Sequence, residues 1–304
     1  MKPLIDGDIL RYEIGYCGQL KDEVTGELKY MSFEFVSDLL DARIEHICEE
    51  VEATVPPTIY LTEDTLINNH LNRSRKREGL EPLKVDPNFR EEIAITKPYK
   101  GTRKTDKPFH FENLTAYILS KYDCNIAKKM EADDIMCIHQ VGSTKYNLIN
   151  THGIGGRSDT IICSRDKDLR MCPGWHYSWE CGKQPSHGPV HVDFETVGWL
   201  EKKDDGKVIG YGDKFFFYQL LTGDVVDNIP GCKGAGAVKA FNLLDPLESK
   251  EQCYNAVVQL YQKVYPDTWK TYIREQANLL WMVRELNEDG SPVLFNPKDF
   301  LGCD

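Results

Sequence analysis

The stretch Leu220–Lys239 sets two kinds of chemistry side by side. Asp224 and Asp227 are three apart, so on one helical turn both carboxylates point the same way. Anionic oxygens brought together repel, and a hard cation such as Mg²⁺ is the natural compensation. Pro230-Gly231 follows, then Gly234 and Gly236. Glycine at such positions takes positive φ without a Cβ clash and lets another backbone come close. A tight turn opening into a helix over Ala235–Leu244 presents bare N–H groups that suit a phosphate. Lys233 and Lys239 add positive charge beside that turn. Taken alone, the Asp pair reads equally as a helix cap before an ordinary interhelical turn.

Further acids follow segments that read as elements of an α/β fold. Pro3-Leu4-Ile5 suits the first strand of a parallel sheet and ends in Asp6. Thr58–Thr62, β-branched and aromatic, suits a second strand and runs into Glu63-Asp64. Thr160–Ser164 suits a third, followed by Asp166 and Asp168. Sites in open α/β sheets form at the carboxyl ends of strands, so these acids are well placed, although Asp6 alone reads equally as a helix cap. Glu131, Asp133 and Asp134 begin a helix anchored by Ile135, Ile138 and Val141, and the macrodipole alone would account for acids there. His139 reads as a satisfied core histidine. Phe33–Ala53 reads as a helix burying Leu40, Ile44, Ile47 and Val51, stopped by Pro56-Pro57. Gly18–Tyr30 is a polar hairpin or loop, Leu114–Tyr122 a helix, and Trp175–Trp179 and Val190–Val192 short strands. Phe215–Leu221 is the helix that delivers Asp224. Cys253–Tyr265 and Asp267–Val283 are amphipathic helices separated by Pro266, with Asp267 as a cap. The expected architecture is a central, mostly parallel sheet flanked by helices.

The 304 residues, 41 % of them hydrophobic, suffice for a globular α/β domain. No run of eighteen apolar residues predicts a membrane span, and the N-terminus lacks the apolar core of a signal peptide, so a cytoplasmic protein is expected. The ten cysteines include no Cys-x-x-Cys pair; Cys48, Cys137 and Cys163 read as buried free thiols in a reducing compartment. Cys172, His176 and Cys181 have no standard zinc spacing. The net charge of −11 argues against a nucleic-acid partner, but residues 71–110 hold 11 Lys/Arg against 6 Asp/Glu. That basic island reads either as a solvated loop or as a contact to a phosphate backbone.

The run 223–236, Gly-Asp-x-x-Asp-Asn-Ile-Pro-Gly-x-x-Gly-x-Gly, resembles the helix–three-turn–helix signature of the flap endonuclease and 5′→3′ exonuclease family. That family takes in the 5′-nuclease domain of bacterial DNA polymerase I and bacteriophage exonucleases; the resemblance is to a phage member. It implies a PIN-like 5′ nuclease core. Asp6, Asp64, Glu131, Asp133, Asp134, Asp166, Asp168, Asp224 and Asp227 follow the family's order of metal-site acids. Asp8 is shared with some phage members. Where the family often has an Arg seven residues after the first Asp this chain has Glu13, and Arg11 is a candidate replacement. Residues 68–110 correspond to the family's arch or clamp. Tyr99-Lys100-Gly101-Thr102-Arg103 resembles its Tyr-Lys-x-x-Arg motif. From one helical turn Lys100 and Arg103 can face a scissile phosphate and stabilise developing charge, while Tyr99 offers a face for a terminal base. Phe89-Arg90 resembles an aromatic-Arg pair that contacts DNA.

The resemblance implies a nuclease core over 1–210 and a helical DNA-binding region over 211–304. It implies two Mg²⁺ or Mn²⁺ ions about 4 Å apart, and it permits a K⁺ ion in the hairpin. Gly231, Lys233, Gly234, Gly236 and Lys239 would grip duplex DNA, with a 5′ end or 5′ flap as substrate and an RNA–DNA hybrid as a further one. The products would carry a 5′-phosphate, and the enzyme would be a monomer. Two other readings are a non-catalytic duplex-binding module and a PIN-type ribonuclease, the latter usually lacking the Gly-rich hairpin.

Overall fold

The computed structural model describes residues 1–103, 106–150 and 159–299 and, over 147–150 and at 299, the backbone alone. The chain opens with β1 (Lys2–Asp6) and α1 (Gly7–Cys17). An antiparallel hairpin follows, β2 (Gln19–Lys21) with β3 (Leu28–Tyr30). In α2 (Phe33–Glu50) Leu40, Ile44 and Ile47 are buried, with Val51 just beyond it. Their spacing puts one apolar stripe against the sheet. Next come β4 (Thr58–Thr62), α3 (Thr65–Arg77), the short α4 (Phe89–Ile93), α5 (Phe111–Lys121), β5 (Asp123–Ala127) and α6 (Ala132–Asn150). After them lie β6 (Thr160–Cys163), β7 (Gly174–Ser178), β8 (His187–Val192) and a second hairpin, β9 (Trp199–Lys202) with β10 (Val208–Tyr211). The described chain finishes with α7 (Gly212–Thr222), α8 (Ala237–Leu244), α9 (Lys250–Val264) and α10 (Trp269–Leu280).

The main sheet has six strands in the order β5-β4-β1-β6-β7-β8. All neighbours are parallel except β7 and β8. The inner strands β1, β4 and β6 are apolar on both faces because helices cover both. One core cluster lies under α1, α2 and α5. The other joins Leu4, Tyr60 and Ile162 of the sheet to α6, α7, α8, α9 and α10. Parallel order brings the carboxyl ends of β1, β4, β5 and β6 to one edge, where the acids of the sequence begin. Among the described residues no helix is long and apolar enough to cross a membrane.

Three local expectations change. The basic island does not stand free over its described part. Its start continues α3, its cations gathered at the carboxyl end of that helix where they complement the dipole. Its later part is tied down, Asn72 Nδ2 donating to the Leu83 carbonyl (3.0 Å) and Ile95 N to Glu275 Oε1 of α10 (2.7 Å). Asp267 does not cap α10, which starts after Thr268 with no side-chain cap. Cys137 is not a free thiol but is joined to Cys172, Cα to Cα 6.0 Å, while Cys48 and Cys163 are free. That link also removes Cys172 from any zinc set, and His176 Nε2 donates to the Cys172 carbonyl (2.7 Å).

Gly231 is where a glycine is required. Its φ is +66°, and a Cβ there would lie 2.3 Å from the Gly223 nitrogen. Gly234 has φ +78° with open space around it. A Gly234→Ala change should therefore cost only the left-handed backbone, about 1–2 kcal/mol. Gly231→Ala adds a backbone clash that cannot relax, and urea denaturation should show it losing at least about 1 kcal/mol more. Equal losses would contradict this packing.

Candidate active site

At the sheet edge, Asp6 ends β1 and caps α1, its Oδ1 accepting from Ile9 N (3.0 Å) and its Oδ2 from Ser164 Oγ (2.7 Å). Ser164 Oγ in turn accepts from Asp166 N (2.9 Å), and Asp166 Oδ1 accepts from Asp168 N (2.8 Å). The two strand-end segments are thus laced together by hydrogen bonds. Asp64 caps α3, its Oδ1 accepting from Ile67 N (2.8 Å). The Asp64 Oδ2 faces Arg11 Nη1 at 3.1 Å. Arg11 is buried, pairs also with Asp8 and lies 4.7 Å over the Phe111 ring. The cap reading and the site reading of Asp6 and Asp64 are therefore compatible, because a carboxylate has lone pairs for both.

A cleft of about 800 Å³ opens here, lined by Asp6, Asp8, Asp64, Glu131, Asp133 and Asp166 together with Lys100 and Arg103. Burial, then the neighbouring Asp8 charge, pushes Asp6 up to about 7. Asp133 is held well above the usual carboxylate range by burial and by Asp6 and Asp166. Burial also lifts Asp166, and burial with Asp166 takes Asp168 up to about 6. Asp133 accepts no hydrogen bond among the described residues. Its oxygens and those of Asp6 and Asp166 form an all-oxygen, anionic donor set, which suits a hard divalent cation. Among the described residues, however, no three such side chains are grouped tightly enough to hold an ion as they stand.

Two ammonium groups take up the charge instead. Lys100 Nζ pairs with Glu131 and lies 4.0 Å from Asp227 Oδ2. Lys167 Nζ lies 2.6 Å from Asp168 Oδ1 and pairs with Asp224. Burial would raise Glu131, but Lys100 and Arg90 outweigh it and hold the carboxyl below its ordinary range. Burial likewise opposes Lys167 at Asp224, and the ion pair prevails. Burial lifts Asp227 despite Lys100.

Asp224 and Asp227 do not share a helical turn. Asp224 N donates to Ile229 O (2.8 Å) and Ile229 N to Asp224 O (2.7 Å), closing a turn over 225–228. The Asp224 Oδ1 accepts from Val226 N (2.8 Å) and Asp227 N (3.2 Å), a side-chain turn that competes with helix. The two carboxylates consequently part, one toward Lys167, the other toward Lys100. Lys100 and Arg103 are not on a helical turn either. Lys100 has φ +52° in a tight turn, its N donates to the Asp227 carbonyl (3.1 Å), and Arg103 N closes onto the Lys100 carbonyl (3.0 Å). Half-exposed Arg103 reaches Asp227 Oδ1 at 3.7 Å. Tyr99 does not offer a free face for a base. Its ring packs on the core, and its hydroxyl lies 3.1 Å from Glu131 Oε2 and 3.2 Å from Asp227 Oδ2.

Two assigned residues lie below the cleft rather than in it. Arg90 is fully buried and cannot meet DNA, and Asp134 is fully buried and cannot meet a metal. They are spent on each other at 2.6 and 2.8 Å. Two residues left open by the sequence part ways: Asp8 lines the cleft, whereas buried Glu63 accepts from Asn68 Nδ2 (3.1 Å). Glu13 is also placed, held by Arg43 at 3.2 Å and accepting from Trp179 Nε1 (2.6 Å). Sequence reasoning missed Lys167; its place between Asp166 and Asp168 was the available signal.

The hairpin residues stand apart from the cleft. Gly231 N donates to Gln276 Oε1 (3.0 Å) and Lys233 N to Tyr265 Oη (3.0 Å). Gly236 heads α8 with extended backbone, φ −67°, not positive φ. Lys233, Gly234, Gly236 and Lys239 are exposed.

No protein-family model matches the sequence. It is 26 % identical over 206 residues to the DNA polymerase I of Chloroflexus aurantiacus, a match taking in 66 % of this chain. Among solved structures, a bacteriophage T5 protein co-crystallised with metal ions aligns with TM-score 0.44 and 14 % identity over 92 % of this chain and 99 % of its own. The T5 flap endonuclease in a complex with DNA and metal ions gives 0.39 and 12 % over 91 % and 98 %. The catalytic core of Rad2 with a DNA substrate gives 0.39 and 13 % over 99 % and 88 %. The chain spans about a fifth (20 %) of the length of the DNA polymerase I that it matches.

Proposed function

We propose that this chain is a metal-dependent 5′ nuclease that hydrolyses phosphodiester bonds at or near the 5′ ends of duplex DNA. The carrying observation is the gathering of Asp6, Asp8, Asp64, Glu131, Asp133 and Asp166 in one cleft with Lys100 and Arg103. The sequence similarity to a DNA polymerase I supports DNA as the substrate. Asp6, Asp133 and Asp166, with Glu131 beside them, would hold one Mg²⁺ or Mn²⁺ ion. Asp168, Asp224 and Asp227 would hold a second. Bound there, such ions supply Lewis-acid stabilisation and a water of lowered pKa. Lys100 and Arg103 supply positive charge where a scissile phosphate gains negative charge. Tyr99 orients Glu131 and Asp227. Lys233, Lys239 and the exposed N–H groups at the start of α8 hold duplex phosphates without reading sequence, so binding falls with salt.

Incubation of 5′-labelled and 3′-labelled duplexes, blunt and with a 5′ flap, should give Mg²⁺-dependent cleavage that Asp166→Ala abolishes. Mononucleotides released from blunt 5′ ends identify an exonuclease; cuts near the flap junction identify a structure-specific endonuclease. Binding of duplex with no cleavage in Mg²⁺ or Mn²⁺ would leave a non-catalytic binding module.

A further inference from the structure

Beyond the acidic cleft runs a second groove of about 580 Å³. Arg103, Arg165 and Asp166 line both, so the two are continuous. The second groove is lined besides by Asp168, Asp224 and Asp227 and by Arg170, His187, Lys203 and Lys207. Lys203 and Lys207 flank the turn of the β9–β10 hairpin, Lys203 N donating to the Lys207 carbonyl (2.8 Å). Their charge is largely unspent. Among the described residues Arg165, Arg170 and Lys207 form no ion pair with a carboxylate. Arg165 donates to the Trp179 carbonyl and to Gln184, and the Arg170 guanidinium lies 5.6 Å over the Tyr211 ring. Lys203 has only the exposed Glu201 (2.6 Å), a weak kind of pair. Asp204 and Asp205, at the hairpin tip, do not line the groove. His187 Nε2 is buried there with no hydrogen-bond partner.

On a chain of net charge −11, cations without a carboxylate partner form a local positive surface that can meet an anion. The groove starts among the acids where a phosphodiester would be cut, Asp166, Asp168, Asp224 and Asp227 lining it, and a positively charged groove that follows the backbone is how single strands are held. We infer that Arg165, Arg170, Lys203 and Lys207 form a track for the phosphate backbone of a single-stranded DNA segment running from the acidic cleft over the β9–β10 hairpin. This rests on the nuclease reading, and it adds a contact surface to which no residue of the 231–239 hairpin contributes.

The test is fluorescence anisotropy with the full chain in Ca²⁺. The probes are a blunt duplex and the same duplex with a single-stranded 5′ extension of about ten nucleotides. The Lys203→Gln/Lys207→Gln double variant alters only exposed side chains and should fold. It should bind the extended duplex about tenfold more weakly, and its salt slope should be shallower by about 1.4, or about 0.7 per lost contact to a single strand. Lys203→Arg/Lys207→Arg should restore both. Unchanged affinity for the extended duplex, or an equal loss on the blunt one, overturns the track while leaving the nuclease reading intact. Wild-type protein that binds neither probe overturns the nuclease reading, and the track with it.

Discussion

Asp6→Asn should make the metal-free protein more stable at neutral pH while removing its Mg²⁺-dependent cleavage. Asp6 is 2 % exposed and faces other acids, so its carboxyl is pushed up to about 7. Between about pH 4 and pH 7 the folded chain keeps a proton on Asp6 that the unfolded chain has released. The folded state then binds more protons, so stability falls as pH rises through that window. At pH 7 the accumulated cost is on the order of 4 kcal/mol, and asparagine does not incur it. Asparagine keeps an oxygen to accept from Ile9 N, so the cap of α1 survives. Urea denaturation in EDTA should find the variant roughly 2–4 kcal/mol more stable at pH 7 and nearly equal to wild type at pH 4. Buried His176, pushed down to about 4 by burial, contributes the opposite slope below its ordinary range. It does so in both proteins and cancels in the difference. Mg²⁺ at millimolar concentration should raise the Tm of wild type and leave the variant nearly unmoved, because a ligand of the folded state alone stabilises it. A variant less stable than wild type at pH 7 would mean that Asp6 is not held among competing carboxylates.

The strand-end acids were legible because an apolar run stopping at a carboxylate has few other meanings in an α/β chain. Thr58–Thr62 is a strand over the whole predicted span, and Asp6, Asp64 and Asp166 do reach one cleft. Local spacing was less informative. Asp224 and Asp227 have the same separation in a helical turn and in the side-chain turn that they form, and only the pairing of Asp224 with Ile229 decides between them. Tyr99 looked like a stacking face because nothing nearby in sequence showed that Glu131 and Asp227 would claim its hydroxyl. Buried and exposed ion pairs use the same letters. Arg90 finds its partners 44 residues away in Asp134 and 189 residues away at the Leu279 carbonyl, and no periodicity encodes such distances.

Arg90→Met should unfold the protein more readily than any substitution on the cleft surface. Arg90 and Asp134 are both 0 % exposed, joined by a two-pronged pair of 2.6 and 2.8 Å. Arg90 also donates from Nε to the Leu279 carbonyl (3.0 Å) and from Nη2 to the Trp281 carbonyl (2.8 Å), which fastens α4 to the end of α10. Asp134 accepts from Glu131 N (3.1 Å) and Val283 N (3.1 Å), so the same pair fixes the backbone that carries Glu131 into the cleft. Methionine fills the stem of the cavity but leaves Asp134 as an unpaired buried charge, a loss of about 3–5 kcal/mol. Lysine should not rescue it, since one ammonium cannot fork onto two carboxylate oxygens and two carbonyls. Arg90→Met/Asp134→Met removes both charges and should recover part of the loss, though not all, because the N–H groups of Glu131 and Val283 lose their acceptor. Urea denaturation of wild type, Arg90→Met, Asp134→Met and the double variant gives the coupling directly. A structural Arg90 predicts that folded variant protein binds duplex DNA with the wild-type salt slope, whereas a phosphate contact predicts a slope shallower by about 0.9. A loss below about 1 kcal/mol with the shallower slope would return Arg90 to the DNA interface.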